Sequence, residues 1–142
     1  KLIEIKNNQK SLELNIITSR RTSDKIKKIL IEKLKNIAKI WIGEGKNPYI
    51  ESIQKSSYFI VTSDSTSMIS EAAISGKPIY IHHLTFKRKS KRIENFHREF
   101  SDLGITKDLI NFNHLSDWTY NSLNESERIA IIIKKRIIKE SI

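Results

Sequence analysis

The chain contains 142 residues, a length that suits one domain with a modest hydrophobic core. It has no cysteine, which excludes disulfides and thiolate metal sites and fits a cytoplasmic protein. No apolar run approaches the roughly 18 residues of a membrane-spanning helix, and the chain does not open with a signal-peptide pattern.

The net charge of +10 at pH 7 raises the question of nucleic-acid binding, because clustered lysine and arginine neutralise phosphate backbones. Most of the excess is lysine. It accompanies frequent isoleucine and asparagine, a composition that AT-rich coding produces without selection for a ligand. The dense basic stretch 87–92 lacks the interleaved aromatic residues that stack on bases. We therefore expect no specific nucleic-acid partner and treat 87–92 as a candidate contact with a membrane surface.

The first half of the chain alternates between predicted strands and helices. Leu12–Ile17 is a predicted strand, and a helix capped by Thr22 or Ser23 follows it, with apolar residues at helical spacing. Ile37–Ile42 is a second predicted strand. After it, Asn47-Pro48 opens a short helix, with asparagine as the cap and proline in the first turn.

Residues 58–81 form the most regular unit, because strand, polar turn, helix, stop and strand follow one another without interruption. The apolar run Tyr58–Val61 precedes a turn at 62–67 that is rich in hydroxyl groups. A helix over 65–75 follows, and Gly76-Lys77-Pro78 ends it, since glycine accepts the left-handed conformation and proline cannot continue a helix. Ile79–Ile81 then resumes a strand.

Beyond this unit the pattern weakens. Ile93–Leu103 is a predicted helix, Leu109–Phe112 a short last strand, and Asn124–Glu127 a capping box that opens a final helix. Repeated strand–helix units with right-handed crossovers predict an α/β fold, with a Rossmann-like parallel sheet covered by helices on both faces. We assign residues 11–142 to this domain and residues 1–10 to a connector or the end of a preceding helix.

Two strand-to-helix turns, at 18–22 and 62–66, are the candidate anion site. The carboxyl ends of parallel strands meet at one sheet edge, where the amides and dipole of a helix start attract phosphate. The residues assigned to phosphate are Ser19, Arg20, Arg21, Ser63, Asp64, Ser65, Thr66 and Ser67. Alternatively, the arginines are solvated and the serines only cap a helix, while Asp64 could cap, hold a metal or repel phosphate. Neither turn carries a dinucleotide fingerprint or a Walker loop, so ATP hydrolysis is not expected.

Glu71 is the candidate ribose-binding residue. It lies about five residues into its helix, about 7 to 8 Å along the axis, so a phosphate at the helix start would leave its carboxylate near a ribose diol. The alternative is a surface glutamate or a partner for Lys77. The four histidines show no ligand spacing, so we expect no metal site, and His97 is interpreted as structural.

Several motifs occur together in one order. They are Thr18-Ser19-Arg20-Arg21-Thr22, Asn47-Pro48-Tyr49, Val61–Ser65, Met68–Ala72, Gly76-Lys77-Pro78, Phe96-His97, Trp118-x-Tyr120 and Leu123-Asn124-Glu125. From about residue 12 onward, the chain thereby resembles the mitochondrial fission "elongated mitochondria" family, whose bacterial members are labelled nucleoside-diphosphate-sugar epimerases. The family is in turn similar to the C-terminal lobe of two-lobed GT-B glycosyltransferases and nucleotide-sugar epimerases.

The resemblance implies a nucleoside diphosphate sugar as the ligand. It does not firmly imply any other cofactor. Ser65 and Thr66 would contact the pyrophosphate and Glu71 the ribose, while Asn47 and Tyr49 would lie near the base. It implies no catalytic acid or base in this chain, because much of the catalytic machinery of GT-B proteins comes from the N-terminal lobe. That lobe of the same protein is the expected partner, and it is absent from this chain.

Two functions follow as hypotheses from the resemblance. The first is the nucleotide-sugar-binding half of a glycosyltransferase or epimerase-like protein, which positions the donor and stabilises the departing diphosphate. The second is a non-enzymatic adaptor, because plant relatives of the family are implicated in recruiting a dynamin-related GTPase to mitochondria.

Overall fold

A computed structural model describes residues 1–85 and 90–122, in which five helices and five strands occur. The helices are α1 (Leu2–Asn8), α2 (Asp24–Leu34), α3 (Tyr49–Lys55), α4 (Thr66–Ile74) and α5 (Lys91–Asp102). The strands are β1 (Leu14–Ile17), β2 (Ala38–Trp41), β3 (Phe59–Thr62), β4 (Ile79–His82) and β5 (Thr106–Asp108). None of these helices has both the length and the apolar character needed to span a bilayer. The helix predicted from Asn124 and residues 87–89 of the basic stretch lie outside the described residues.

The strands pair in parallel, as predicted, and form two sheets. β1 pairs with β2, and β4 lies between β3 and β5. No strand pairing joins the two sheets in the described part of the chain. The Rossmann-like α/β class is therefore confirmed, with the sheet in two parts. The burial of the strands differs accordingly, since β1 and β2 carry no fully buried residue while three consecutive residues of β4 are buried.

The side chains of β4 alternate between two hydrophobic clusters, as the period of a strand requires. On one face, Ile79 and Ile81 pack with residues of α4 and α5, namely Ile69, Ala72, Ala73 and Phe100. On the other face, Tyr80 packs with Ile5, Leu109 and Leu115. Residues 1–10, interpreted as a connector or helix end, thus contain α1, whose Ile5 is fully buried in this second cluster. Both faces of the three-stranded sheet are covered.

Tyr80 also fixes the segment that follows β5. Its hydroxyl accepts a hydrogen bond from the Ser116 amide at 2.9 Å, and its ring makes edge contacts with Phe112 and Trp118, at 5.3 and 5.0 Å between ring centroids. The Trp118 indole donates to the Gly104 carbonyl at 3.0 Å. The Trp118 ring therefore lies against the sheet.

The prediction of a last strand over Leu109–Phe112 is wrong. The strand is three residues earlier, at Thr106–Asp108, and Leu109–Asn111 forms a 3₁₀ turn. Within the described residues, β5 pairs only with β4, so it needs to bury only one of its side chains. That side chain is Thr106, which is 5% exposed. The strand can therefore have a polar sequence, which gives no apolar pattern to recognise. The 3₁₀ turn instead buries Leu109 and leaves Ile110 75% exposed, an arrangement that two neighbouring apolar residues do not reveal.

Replacing Tyr120 by phenylalanine should weaken the attachment of the segment that contains Tyr120 to the residues that follow α4. The Tyr120 hydroxyl donates to the Lys77 carbonyl at 2.7 Å, and burial raises the pKa of Tyr120 to about 12. We expect Y120F to lower the free energy of unfolding at neutral pH by about 1 kcal/mol, the net contribution of one hydrogen bond.

This difference between Y120F and the wild-type chain should shrink in alkaline solution. The folded state holds the Tyr120 proton more tightly than the unfolded state, so the wild-type chain loses this stabilisation as the pH rises through the range between the ordinary pKa of 10.0 and about 12. Urea denaturation of both proteins at neutral pH and at about pH 11 measures the effect. An equal difference at both pH values would contradict it.

Candidate functional site

The turn between β1 and α2 is closed by its own hydrogen bonds. The Thr22 amide donates to the Ser19 carbonyl at 3.0 Å, and the Ser19 amide donates to the Thr22 hydroxyl at 3.1 Å. The Ser19 hydroxyl accepts from the Arg21 amide at 3.2 Å, and Ser23 caps α2 as predicted. Ser19 therefore shapes the turn, and the turn presents the exposed Arg20 and Arg21.

The start of α4 lacks a side-chain cap. Ser65 is the N-cap residue, but its side chain makes no capping hydrogen bond to the helix. Its hydroxyl lies 3.5 Å from Oδ1 of Asp64 instead. The first backbone amides of a helix have no partner within the helix, and the helix dipole adds partial positive charge there. The Ser65 side chain therefore does not cap the helix that begins at Thr66, and the first backbone amides of the helix lie at the position predicted for phosphate.

The two turns meet, as predicted from the parallel strands. Arg21 Nη2 lies 3.6 Å from Oδ2 of Asp64, with the two side chains 69% and 30% exposed. An ion pair this exposed contributes little stability, because water competes for both charges. Its value is positional, since it brings a guanidinium group to the start of α4 while Asp64 partly neutralises it.

Ser63 lies in this turn but is engaged inside the fold. It is 1% exposed, and its hydroxyl accepts from the Leu84 amide at 3.0 Å. Its amide donates to the His82 carbonyl at 3.0 Å, and its own carbonyl lies 2.8 Å from His97 Nε2, which donates to it. The sequence placed Ser63 among the phosphate ligands, whereas in the structure it ties the ends of β3 and β4 to the middle of α5. His97 has the structural role expected of it.

Glu71 and Tyr49 are brought together by α4 and α3. The Tyr49 hydroxyl donates to Glu71 Oε2 at 2.6 Å, and Asn47 accepts from the Tyr49 amide at 3.0 Å, which shapes the start of α3. Burial, then the hydrogen bond and the negative charge of Glu71, raise the pKa of Tyr49, so the phenol keeps its proton and remains a donor. Lys77 is not the partner of Glu71, because its ammonium group donates to backbone carbonyls such as that of Gln54, at 2.9 Å.

A cavity of about 420 Å³ extends from this pair between α3 and α4. Its size is within the range of small-molecule sites. Apolar side chains dominate its lining, which consists of Tyr49, Ile50, Ile53, Gln54, Glu71, Ile74, Ser75 and Lys77. Glu71, predicted to bind the ribose, and Tyr49, predicted to lie near the base, therefore border one concave space, whereas Asn47 is not among its lining residues.

Sequence reasoning missed one polar pair near these turns. His83 Nε2 lies 2.7 Å from Oδ1 of Asp108, where β4 and β5 end. The available signal was positional, since both residues stand at the carboxyl ends of strands, but the wrong assignment of the last strand hid it. No group of three or more potential metal ligands occurs within residues 1–85 and 90–122.

Comparison with known proteins decides the family. The family described as Mitochondrial fission ELM1 matches residues 1–137. The chain belongs to the mitochondrial fission ELM1 family. The family predicted from the motifs is thus confirmed, and the match begins at residue 1, so it includes α1.

Two relatives of this ELM1-family chain are considerably longer than it. Mitochondrial fission protein ELM1 of Arabidopsis thaliana is 30% identical over 130 residues, which are 87% of this chain and 29% of the plant protein. Uncharacterized protein RP120 of Rickettsia prowazekii (strain Madrid E) is 38% identical over 93 residues, 62% of this chain and 25% of that protein. The chain spans less than a third of either relative. No solved structure matches it.

Proposed function

We propose that this ELM1-family chain is the nucleotide-sugar-binding lobe of a GT-B-like glycosyltransferase or epimerase-like protein. One observation carries the proposal: the uncapped start of α4 is reached by Arg21 from the neighbouring turn, and the same helix carries Glu71 one and a half turns later. The arrangement offers, in order along one helix, contacts for a diphosphate and for the sugar of a nucleoside.

The diphosphate is assigned to the start of α4. The amides of Thr66 and Ser67 supply donors, the helix dipole favours negative charge, and Arg20 and Arg21 supply mobile positive charge. Asp64 opposes binding, because its negative charge repels a phosphate. Arg21 reduces this repulsion while it is paired with Asp64. In this proposal Arg21 moves from Asp64 toward the incoming phosphate, which the exposure of its side chain permits.

The nucleoside is assigned to the space beside Glu71. A carboxylate can accept hydrogen bonds from both hydroxyls of a ribose, whereas here it accepts one hydrogen bond from Tyr49. We infer that the ribose shares or replaces this contact, and that Tyr49 meanwhile holds the carboxylate in position. The base then lies toward the cavity between α3 and α4, whose apolar lining suits a flat ring.

A second lobe completes the site in this proposal. Arg21 and Asp64 face solvent in this chain, where charged contacts are worth only about 0 to 1 kcal/mol. Burial by a second lobe removes water from the cleft and strengthens the same contacts. The greater length of both relatives supports the presence of further sequence in the family. We therefore expect this chain alone to bind weakly and the complete natural protein to bind more tightly.

Two substitutions that each remove one negative charge should change affinity in opposite directions. Glu71→Gln removes the negative charge and leaves one acceptor oxygen for the ribose diol in place of two, so it should weaken nucleotide-sugar binding about tenfold, the scale of one hydrogen bond to a charged group. Asp64→Asn removes repulsion at the diphosphate and releases Arg21, so it should strengthen binding about threefold, within the range of exposed charge pairs. Calorimetry on the complete natural protein with uridine, guanosine, adenosine and cytidine diphosphate glucose measures both.

The pair of variants controls for general electrostatics, because any long-range effect of lost charge would move both affinities the same way. Glu51→Gln is a further control, since Glu51 pairs with Lys55 on the exposed side of α3. Shifts of equal sign for Glu71→Gln and Asp64→Asn would count against the assigned site. No affinity for any of the four sugars at millimolar concentration would remove the proposed function.

A second candidate function is recruitment of a protein partner, and the exposed isoleucines beside the cavity favour it. Ile50 and Ile74 flank the cavity and are 71% and 57% exposed. Apolar side chains exposed around a concave surface are typical of protein-binding sites. In this alternative the cavity accepts an apolar side chain of a dynamin-related GTPase, the partner that the family resemblance implies.

Removing the two isoleucines separates this alternative from nucleotide binding. The double variant Ile50→Ser and Ile74→Ser should lower the affinity for a purified dynamin-related GTPase of the same organism at least about tenfold, since each side chain loses about 1.5 to 3 kcal/mol of burial. Ile110→Ser is the matched control, because Ile110 is 75% exposed and does not line the cavity. Surface plasmon resonance measures the binding, and unchanged affinity in the double variant would argue against this role.

A further inference from the structure

The ends of β4 and β5 hold a histidine–carboxylate pair that the assigned diphosphate contacts do not use. Asp108 is the last residue of β5 and is paired in register with Ile81 of β4, so His83 stands just beyond the sheet edge. The two side chains meet at 2.7 Å between Nε2 and Oδ1. His97 of α5 packs edge-on against His83, with 5.3 Å between ring centroids.

The backbone places His83 beside the turn that opens α4. On one side of it, the His82 carbonyl accepts from the Ser63 amide at 3.0 Å. On the other side, the Leu84 amide donates to the Ser63 hydroxyl at 3.0 Å. His83 is therefore held between two hydrogen bonds to Ser63, which comes two residues before the N-cap Ser65. The pair and the assigned diphosphate site belong to one set of strand ends.

The contact with Asp108 fixes which nitrogen of His83 can meet a ligand. An ionised carboxylate only accepts hydrogen bonds, so Nε2 carries a proton and Nδ1 is left for another group. The His83 and Asp108 side chains are 48% and 53% exposed, which lets a ligand reach the ring. When the ring carries both protons, the carboxylate balances its positive charge.

Other charged groups around His83 have different commitments. His97 donates through Nε2 to the Ser63 carbonyl at 2.8 Å. In the turn before α4, Asp64 pairs with Arg21 at 3.6 Å. Lys107, the neighbour of Asp108, places its ammonium group over the Trp118 ring at 4.2 Å. His83 is thus the group of this cluster that has both a carboxylate partner and solvent access.

We propose that His83, held by Asp108, is a pH-dependent contact to the diphosphate of a bound nucleotide-sugar. In its doubly protonated form the ring donates from Nδ1 to an oxygen of the phosphate that carries the sugar, and Asp108 keeps the ring oriented. This inference rests on the proposed function, because the ligand is the one assigned to the start of α4. The contact adds a charge-assisted hydrogen bond in mildly acidic solution.

The test compares the affinity of the complete natural protein for the same four nucleoside diphosphate glucoses at about pH 8 and at about pH 5.5. Both phosphates of such a sugar are diesters without a proton that titrates in this range, so the change acts on the protein. We expect the wild-type protein to bind its best ligand about fivefold more tightly at the lower pH, corresponding to about 1 kcal/mol. His83→Gln should remove this gain, because glutamine carries no charge at either pH.

Two further variants make the result specific. Asp108→Asn keeps an acceptor oxygen but loses the charge that balances the protonated ring, so the gain should shrink. His114→Gln should keep the full gain, because His114 is an exposed histidine whose ring contacts the neighbouring Asn113. Circular dichroism and thermal unfolding establish that each variant is folded.

The outcomes separate this inference from the proposed function. A wild-type affinity that does not change with pH, or a gain that persists in His83→Gln, contradicts the role of His83 and leaves the nucleotide site intact. If none of the four sugars binds at either pH, the proposed function fails and the role of His83 fails with it. If His83→Gln does not fold, Asp108→Asn decides, because an undiminished gain in that variant contradicts the pair.

Discussion

The burial of β4 on both faces is the constraint on which the rest of this structure depends. Ile79 and Ile81 require α4 and α5 on one side, and Tyr80 requires α1 and the segment after β5 on the other. A strand enclosed in this way can pair only in one register, since a shift by one residue would exchange its two faces. That register places Thr62, His82 and Asp108 at one edge, and the contacts of Ser63 and His83 there follow from it.

In the absence of a ligand, side chains of the candidate site pair with one another. Asp64 forms an ion pair with Arg21, and Glu71 accepts a hydrogen bond from Tyr49. Arg21 and Glu71 therefore each have a partner within the chain. The first pair is exposed and weak, which makes exchange for a phosphate inexpensive in free energy. The second pair is short, at 2.6 Å, and joins a half-buried tyrosine to an exposed glutamate, so the hydrogen bond rather than burial orients the carboxylate. The same contacts are equally compatible with an inherited scaffold in an adaptor, and ligand affinity is the property that separates the two functions.

The sequence predicted those parts of the fold that depend on neighbouring residues. The unit from 58 to 81 was recognisable because its strands, cap, helix and glycine stop lie next to each other in the chain. Ser23 was recognised as a cap for the same reason. By contrast, β5 was misplaced because an edge strand is chosen by its pairing with β4 and not by its own polar sequence. Ile26 in α2 is 47% exposed, which its helical spacing did not predict. Helical spacing shows that apolar residues share one face of a helix, but it does not show what packs against that face.

The candidate site was predicted in its location and only partly in its contacts. The turns at 18–22 and 62–66 were expected at one edge of a single sheet, and Arg21 and Asp64 do meet, although β1 and β3 lie in separate sheets. The contact between Tyr49 and Glu71 joins residues 22 positions apart, and the burial of Ser63 depends on Leu84. Such contacts depend on how helices pack, and no local pattern contains that information.

The most direct measurement of the central claim is an amide-resolved nuclear magnetic resonance titration of this 142-residue chain with uridine, guanosine, adenosine and cytidine diphosphates. The account predicts millimolar binding, about 4 kcal/mol, to at least one of them. The largest shifts should occur at the amides of Thr66 and Ser67 and in the turn at 18–22, with smaller ones around Glu71. No shift up to about 10 mM, an affinity limit below about 3 kcal/mol, would contradict the account, as would shifts that leave the start of α4 unchanged.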